Sequence, residues 1–184
     1  MMKKTLLILA AALSGVLAAG AQTGREWQDP AVNEINRLPM RSSFAAGERL
    51  SLDGVWKFHW VRNASERPSG IGAVDYDDAA WGSMPVPGMW ELNGYGDPVY
   101  VNIGYAWRGN FRNDPPYVPD AENHVGSYRR TFDIPASWGG KDIFLSIGSA
   151  TSNVYVWVNG RFVGYSEDSK LAAQFDITKF VKPG

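Results

Sequence analysis

"NVYVWVNGRFVGYSEDSKLAAQFDIT", residues 153 to 178, decides the fold. Val154, Val156 and Val158 alternate with Tyr155 and Trp157, the period of two that places successive side chains on opposite faces of a strand. Asn159-Gly160 follows, and Asn-Gly between apolar alternations is the strongest short-range hairpin signal. The chain returns through Phe162 and Gly164, stops at Ser166-Glu167-Asp168-Ser169, and restarts its apolar pattern at Phe175. Such a polar cluster is ordinarily a turn whose side chains satisfy nearby backbone groups. The other reading is that these oxygens hold a ligand.

Further short strands are predicted on the N-terminal side. "SLDGVWKFHWV" puts Trp56, Phe58 and Trp60 on one phase after the Asp53-Gly54 turn, with His59 on the outward phase. "DYDDAAWGSMPVPG" reads as a loop with one helical turn feeding a short strand, "PVYVNIGYAW" as an irregular strand, and "FRNDPPYVPDAENH" as a proline-rich loop. "SYRRTFDI" and "DIFLSIG" are plain strand patterns. Residues 22–49 lack strong periodicity and read as an extended arm broken by Pro30 and Pro39, with a short helical turn around Val32 to Ile35. Many short strands with almost no helix predict an all-β jelly-roll β-sandwich.

Residues 1–21 look like a secretory signal peptide. "MMKK" is a basic start, "TLLILAAALSGVLAAG" an apolar stretch, and Ala19-Gly20-Ala21 a small-x-small cleavage site. The apolar run is short for a spanning helix and lacks a basic flank on its far side, so export, most simply to the periplasm, is expected over membrane anchoring. The domain reading is 1–21 signal peptide, 22–49 arm and 50–184 sandwich. The chain ends at the turn residues Pro183-Gly184 where another strand is expected, so the last strand is read as missing. An edge exposed in this way predicts marginal stability and a tendency to associate.

The formal net charge of −1 over 184 residues gives no electrostatic footprint for nucleic acid or an anionic membrane. The chain has no cysteine, so the core must hold it together without disulfides, and eight each of Trp, Tyr and Phe can supply one. His59 and His124 have no partner at metal-ligand spacing. No nucleophile elbow or phosphate-cradling glycine loop occurs. Glycosidases need two carboxylates about 5 Å apart, or further apart if inverting, and no pair is marked out here. No catalytic centre is predicted within the chain itself.

Sandwiches present function on their end loops. Two loops suit a hydroxyl-rich ligand such as a sugar: Tyr100-Val101-Asn102 and the Ser166–Ser169 cluster, with Tyr105, Trp107 and Tyr165 as nearby aromatics.

Five segments in order carry a resemblance: "WQDPAVNEINRLPMRSSF", "SLDGVWKFHW", "PVPGMWELNGYGDPVYVNIGY", "PPYVPDAENHVGSYRRTFDIP" and "VYVWVNGRFVGYSEDSKLAAQFDIT". Together they resemble the N-terminal region of the long, multidomain β-galactosidases of glycoside hydrolase family 2. The resemblance runs from about Glu26 to the last residue. It implies a jelly-roll sugar-binding domain that precedes immunoglobulin-like domains and a catalytic barrel, in an enzyme that hydrolyses terminal β-galactosides with retention. By this resemblance Asn102 and Asp168 are substrate-binding residues, and Asp168 also contacts a bound sodium ion; magnesium belongs to the full-length enzyme's repertoire. A carboxylate oxygen suits a hard cation, so the sodium role is chemically sensible. The acid/base and nucleophile glutamates lie in the barrel, so this chain is not expected to hydrolyse sugar alone. Its expected partners are β-galactosides, the remaining domains and, for the full-length enzyme, further subunits contacted through the arm. The sequence departs from many relatives at Ala106-Trp107, in the length of "RGNFRND" and at His124.

A free-standing, non-catalytic carbohydrate-binding module is the alternative, and a nonfunctional remnant a third reading. The ending at Pro183-Gly184 favours the enzyme fragment, since a self-sufficient module would complete its sheet.

Overall fold

The computed structural model describes residues 23–40, 47–98 and 116–184. Among these residues eight strands follow one another: β1 (Glu34–Ile35), β2 (Gly54–Val61), β3 (Gly82–Val86), β4 (Val125–Arg129), β5 (Phe144–Ile147), β6 (Val154–Val158), β7 (Arg161–Ser166) and β8 (Ala173–Asp176). Helical turns among the described residues are each three residues long, as at Glu26–Gln28. The all-β class expected from the sequence is the one observed.

β6 and β7 form the expected hairpin. Val158 pairs with Arg161 across Asn159-Gly160, whose φ values of 49° and 79° are the two left-handed residues that a type I′ turn requires. The register slips between Val156 and Trp157, leaving Val163 as a bulge. Tyr155 and Tyr165 lie directly opposite, their rings 4.6 Å apart, and share one face of the ribbon.

The arm enters this sheet. β1 pairs antiparallel with β7, Glu34 opposite Ser166 and Ile35 opposite Tyr165. Asn36 then takes a left-handed φ of 54°, its side-chain amide donating to the Val163 carbonyl at 2.8 Å. Beyond it Arg37 bridges Phe175, and the Leu38 N–H donates to the Gln174 carbonyl of β8 at 2.8 Å. Residues 34–38 therefore link the β6–β7 hairpin to the β5–β8 pair. The helical turn expected around Val32 to Ile35 does not form: one isolated turn is a poor nucleus, while β7 offers a row of unpaired backbone groups.

Two apolar centres support these strands. Val156, Val163, Ala173, Phe175 and Ile177 pack with Ile134 and Ile143 beneath the hairpin and β8. The other lies on β2, where antiparallel pairing with β3 and β4 brings Phe58 against Tyr95 at 4.7 Å and Tyr128 at 4.6 Å. Phe58, Met84 and Phe175 are fully buried; each such side chain contributes about 1.5–3 kcal/mol relative to exposure. His59 is half-buried and stacks on Trp81 at 5.5 Å, so it is less outward than its phase suggests.

Candidate functional site

β7 delivers the polar cluster. Its last residues become progressively enclosed, and Ser166 is buried. The chain then turns, with the Glu167 N–H donating to Asn33 in the arm and the Leu171 N–H to the Asp168 carbonyl. The second bond is the local turn that such a cluster ordinarily forms. The carboxylates, however, do not merely serve their own backbone. Glu167 accepts a bond from the Tyr165 hydroxyl at 2.6 Å, and Asp168 Oδ2 accepts from Arg37 Nη1.

Arg37 is the centre of this corner. Its Nε donates to Glu34 Oε2 at 2.6 Å, its Nη2 to the same oxygen, and its Nη1 to Asp168 Oδ2 and to Ser166 Oγ at 3.3 Å. The Arg37 side chain is only 8% exposed, against 37% for Asp168. Burial opposes the guanidinium charge, yet the bonds it donates to Asp168 and Glu34 outweigh it and raise its pKa. Among the described residues Asp168 Oδ1 accepts no hydrogen bond, so one oxygen of the carboxylate is fixed by Arg37 and the other keeps its acceptor capacity.

A buried carboxylate lies on the tyrosine face of the ribbon. Glu26, 4% exposed, accepts from the Tyr155 hydroxyl at 2.7 Å and from the hydroxyl of Thr23 at 3.0 Å. Burial alone would raise its pKa, but the bonds from Tyr155 and Thr23 prevail and hold it below the ordinary value. Tyr165 is fully buried, and burial with the neighbouring Glu167 and Glu26 carboxylates pushes its pKa well up. It cannot offer a face for a sugar to stack on. That corrects the inclusion of Tyr165 among the site aromatics: its ring is occupied by Tyr155, and its hydroxyl by Glu167.

Asn102, Tyr100, Tyr105 and Trp107 lie outside the described residues, as do residues 1–22. No group of three or more acidic or histidine side chains among the described residues could hold a metal ion. Asp168 Oδ1 suits sodium as one oxygen ligand, and a complete shell would draw on oxygens beyond it. Asp168 does not line the concavity bounded by residues of β2, β4, β5 and β6. What the described residues make is an open, polar rim at the end of β7. Sequence reasoning singled out Asp168 there but assigned nothing to Arg37, Glu34 or Glu26, whose roles depend on contacts with strands more than a hundred positions away. No local pattern marks them.

An all-β domain with carboxylate-bearing strand ends is thus the architecture at hand. The chain belongs to glycosyl hydrolase family 2: residues 50–184 match the family's sugar-binding domain. It is similar to the β-galactosidase of Halalkalibacterium halodurans, 39% identical over 85% of this chain and 17% of the relative. The β-galactosidases of Priestia megaterium and Lactobacillus delbrueckii subsp. bulgaricus are 42% and 40% identical, over 73% and 84% of this chain and 13% and 16% of the relatives. The chain therefore spans less than a fifth of these proteins. Among solved structures, a β-glucuronidase from Ruminococcus gnavus superposes with a TM-score of 0.50 at 27% identity, over 73% of this chain and 19% of that one.

Proposed function

We propose that this chain is the sugar-binding part of an exported β-galactosidase, built as a jelly roll, which lends Asp168 and Asn102 to a site for terminal β-galactosides. The observation that carries the reading is the run of β-galactosidases at 39–42% identity, against 27% for the glucuronidase structure. Asp168 Oδ1 accepts a galactosyl hydroxyl and serves as one oxygen ligand of a sodium ion. Hydrolysis with retention is the work of a carboxylate pair about 5 Å apart on a domain outside this chain. Residues 1–21 direct the protein out of the cytoplasm, most simply to the periplasm, and the assembled enzyme is an oligomer.

The test offers nitrophenyl β-galactoside and nitrophenyl β-glucuronide to the gene product that carries this chain, in sodium and in choline buffer. Preference for the galactoside, stimulated by sodium and lost in Asp168→Ala, is the expected result. Preference for the glucuronide, or hydrolysis untouched by Asp168→Ala, overturns the reading.

A further inference from the structure

The arm does more than complete a sheet. It crosses from β7 to β8 at Asn36, and that crossing sets Arg37 between Glu34 and Asp168. Three features make Arg37 a built element rather than a surface cation. Its side chain is nearly buried although both carboxylate partners are substantially exposed. Its donors are divided between two carboxylates and the buried Ser166 hydroxyl, so the guanidinium plane is held from several directions. Its backbone is fixed by the bridge to Phe175, which is fully buried.

We infer that Arg37 is the positioning residue of the sugar site: it locks the Asp168 carboxylate with Oδ2 toward the protein and Oδ1 toward the ligand, so the arm sets the geometry of a site that the loop after β7 presents. This rests on the reading of Asp168 as a galactoside-binding residue. An aspartate on a turn, left to itself, samples several rotamers, and a polar ligand rewards only the one whose free oxygen meets its hydroxyl. The forked, always-charged guanidinium is itself held by Glu34 and Ser166, so its Nη1 donates to Asp168 Oδ2 from a fixed direction, which a lysine with its single point charge does not reproduce. Glu34 in turn holds the guanidinium from the other side, leaving Nη1 aimed at Asp168.

The experiment measures kcat and KM for nitrophenyl β-galactoside and the inhibition constant for galactose in the gene product that carries this chain. Wild type is compared with Arg37→Met, Arg37→Lys, Asp168→Ala and the Arg37→Met/Asp168→Ala double variant, each checked by its melting midpoint. Arg37→Met is expected to raise KM and the galactose inhibition constant at least tenfold, with Arg37→Lys in between. The double variant should be no worse than Asp168→Ala alone, because Arg37 acts through Asp168. Arg37→Met within twofold of wild type beside a disabled Asp168→Ala, or losses that multiply in the double variant, overturns the inference while leaving the site reading intact. A silent Asp168→Ala overturns both, and is recognised from that variant alone. Should Arg37→Met fail to fold, Arg37→Lys carries the decision: an unchanged KM at an unchanged melting midpoint refutes it.

Discussion

The Tyr155 hydroxyl donates to Glu26 Oε2 at 2.7 Å, joining the middle of the hairpin to the start of the arm across 129 positions of sequence. Glu26 is buried, and its carboxylate is stabilised by this bond and by Thr23. The arm is thus tied to the ribbon at two places: here on the tyrosine face, and again at β1 along the edge of β7.

That bond makes stability dependent on pH. Burial works against the Glu26 charge, but the hydrogen bonds win and lower its pKa in the folded chain. A carboxylate depressed on folding contributes stability that is fully present above its ordinary value of 4.5 and is lost as pH falls through the folded value. Urea midpoints measured from about pH 6 down to about pH 3 should fall for wild type and fall less steeply for Glu26→Gln. Tyr155→Phe should cost about 1–3 kcal/mol at neutral pH by leaving a buried carboxylate short of a donor. Equal acid sensitivity in wild type and Glu26→Gln would show that the charge at this position does not govern acid unfolding.

At Gly164 the arm lies close against β7. A Cβ there would sit 2.4 Å from the Ile35 carbonyl oxygen and 2.7 Å from the Phe175 ring. Both neighbours are held, one by the β1–β7 pairing and the other by the core. Gly164→Ala should therefore push the arm off and cost about 1–3 kcal/mol or more. Limited proteolysis should show faster cleavage between residues 28 and 40 than in wild type; an unchanged cleavage pattern would contradict the close approach.

The hairpin turn gives a smaller effect. Gly160 holds φ at 79°, where a side chain is strained even though a Cβ there would make only ordinary contacts with Val74 and the Gly72 carbonyl. Gly160→Ala is expected to lower stability by about 1–2 kcal/mol. Asn159→Gly should preserve the backbone geometry but lose the side-chain bond to the Phe180 carbonyl at 2.8 Å. Thermal melts of the two variants therefore separate turn conformation from side-chain bonding, with Gly160→Ala expected to melt lower.

Asp168→Asn tests the ion pair without a sugar present. The amide keeps the shape of the carboxylate but removes its charge, leaving Arg37 with Glu34 as its remaining carboxylate among the described residues. Because Asp168 is partly solvated, the loss of stability should be modest, about 1 kcal/mol. A loss several times larger in a urea melt would mean that the pair holds the arm in place rather than chiefly orienting Asp168.

Much of this architecture is legible in the residues themselves. Period-two alternation through Val154, Val156 and Val158 and the Asn159-Gly160 pair specify the hairpin, because side-chain alternation and the positive-φ turn are properties of a few consecutive residues. The strand after Gly54 and the restart at Phe175 are readable on the same grounds, and the restart is β8. Asp168 was singled out by the polar stop after β7.

Other features depend on partners that no local window contains. The arm has no periodicity of its own, so its path from β7 to β8 follows from backbone pairing with strands far along the chain. Tyr165 belongs to an aromatic run whether it faces solvent or core; only the register opposite Tyr155 and Ile35 buries it. The same holds at the polar corner. The sequence by itself determined an all-β chain with a carboxylate cluster at the end of its hairpin, because strand periodicity and turn chemistry are local. Tertiary structure alone decided that Arg37 meets Asp168 and that Glu26 meets Tyr155, because contacts between segments more than a hundred positions apart exist only once the folded chain has brought them together.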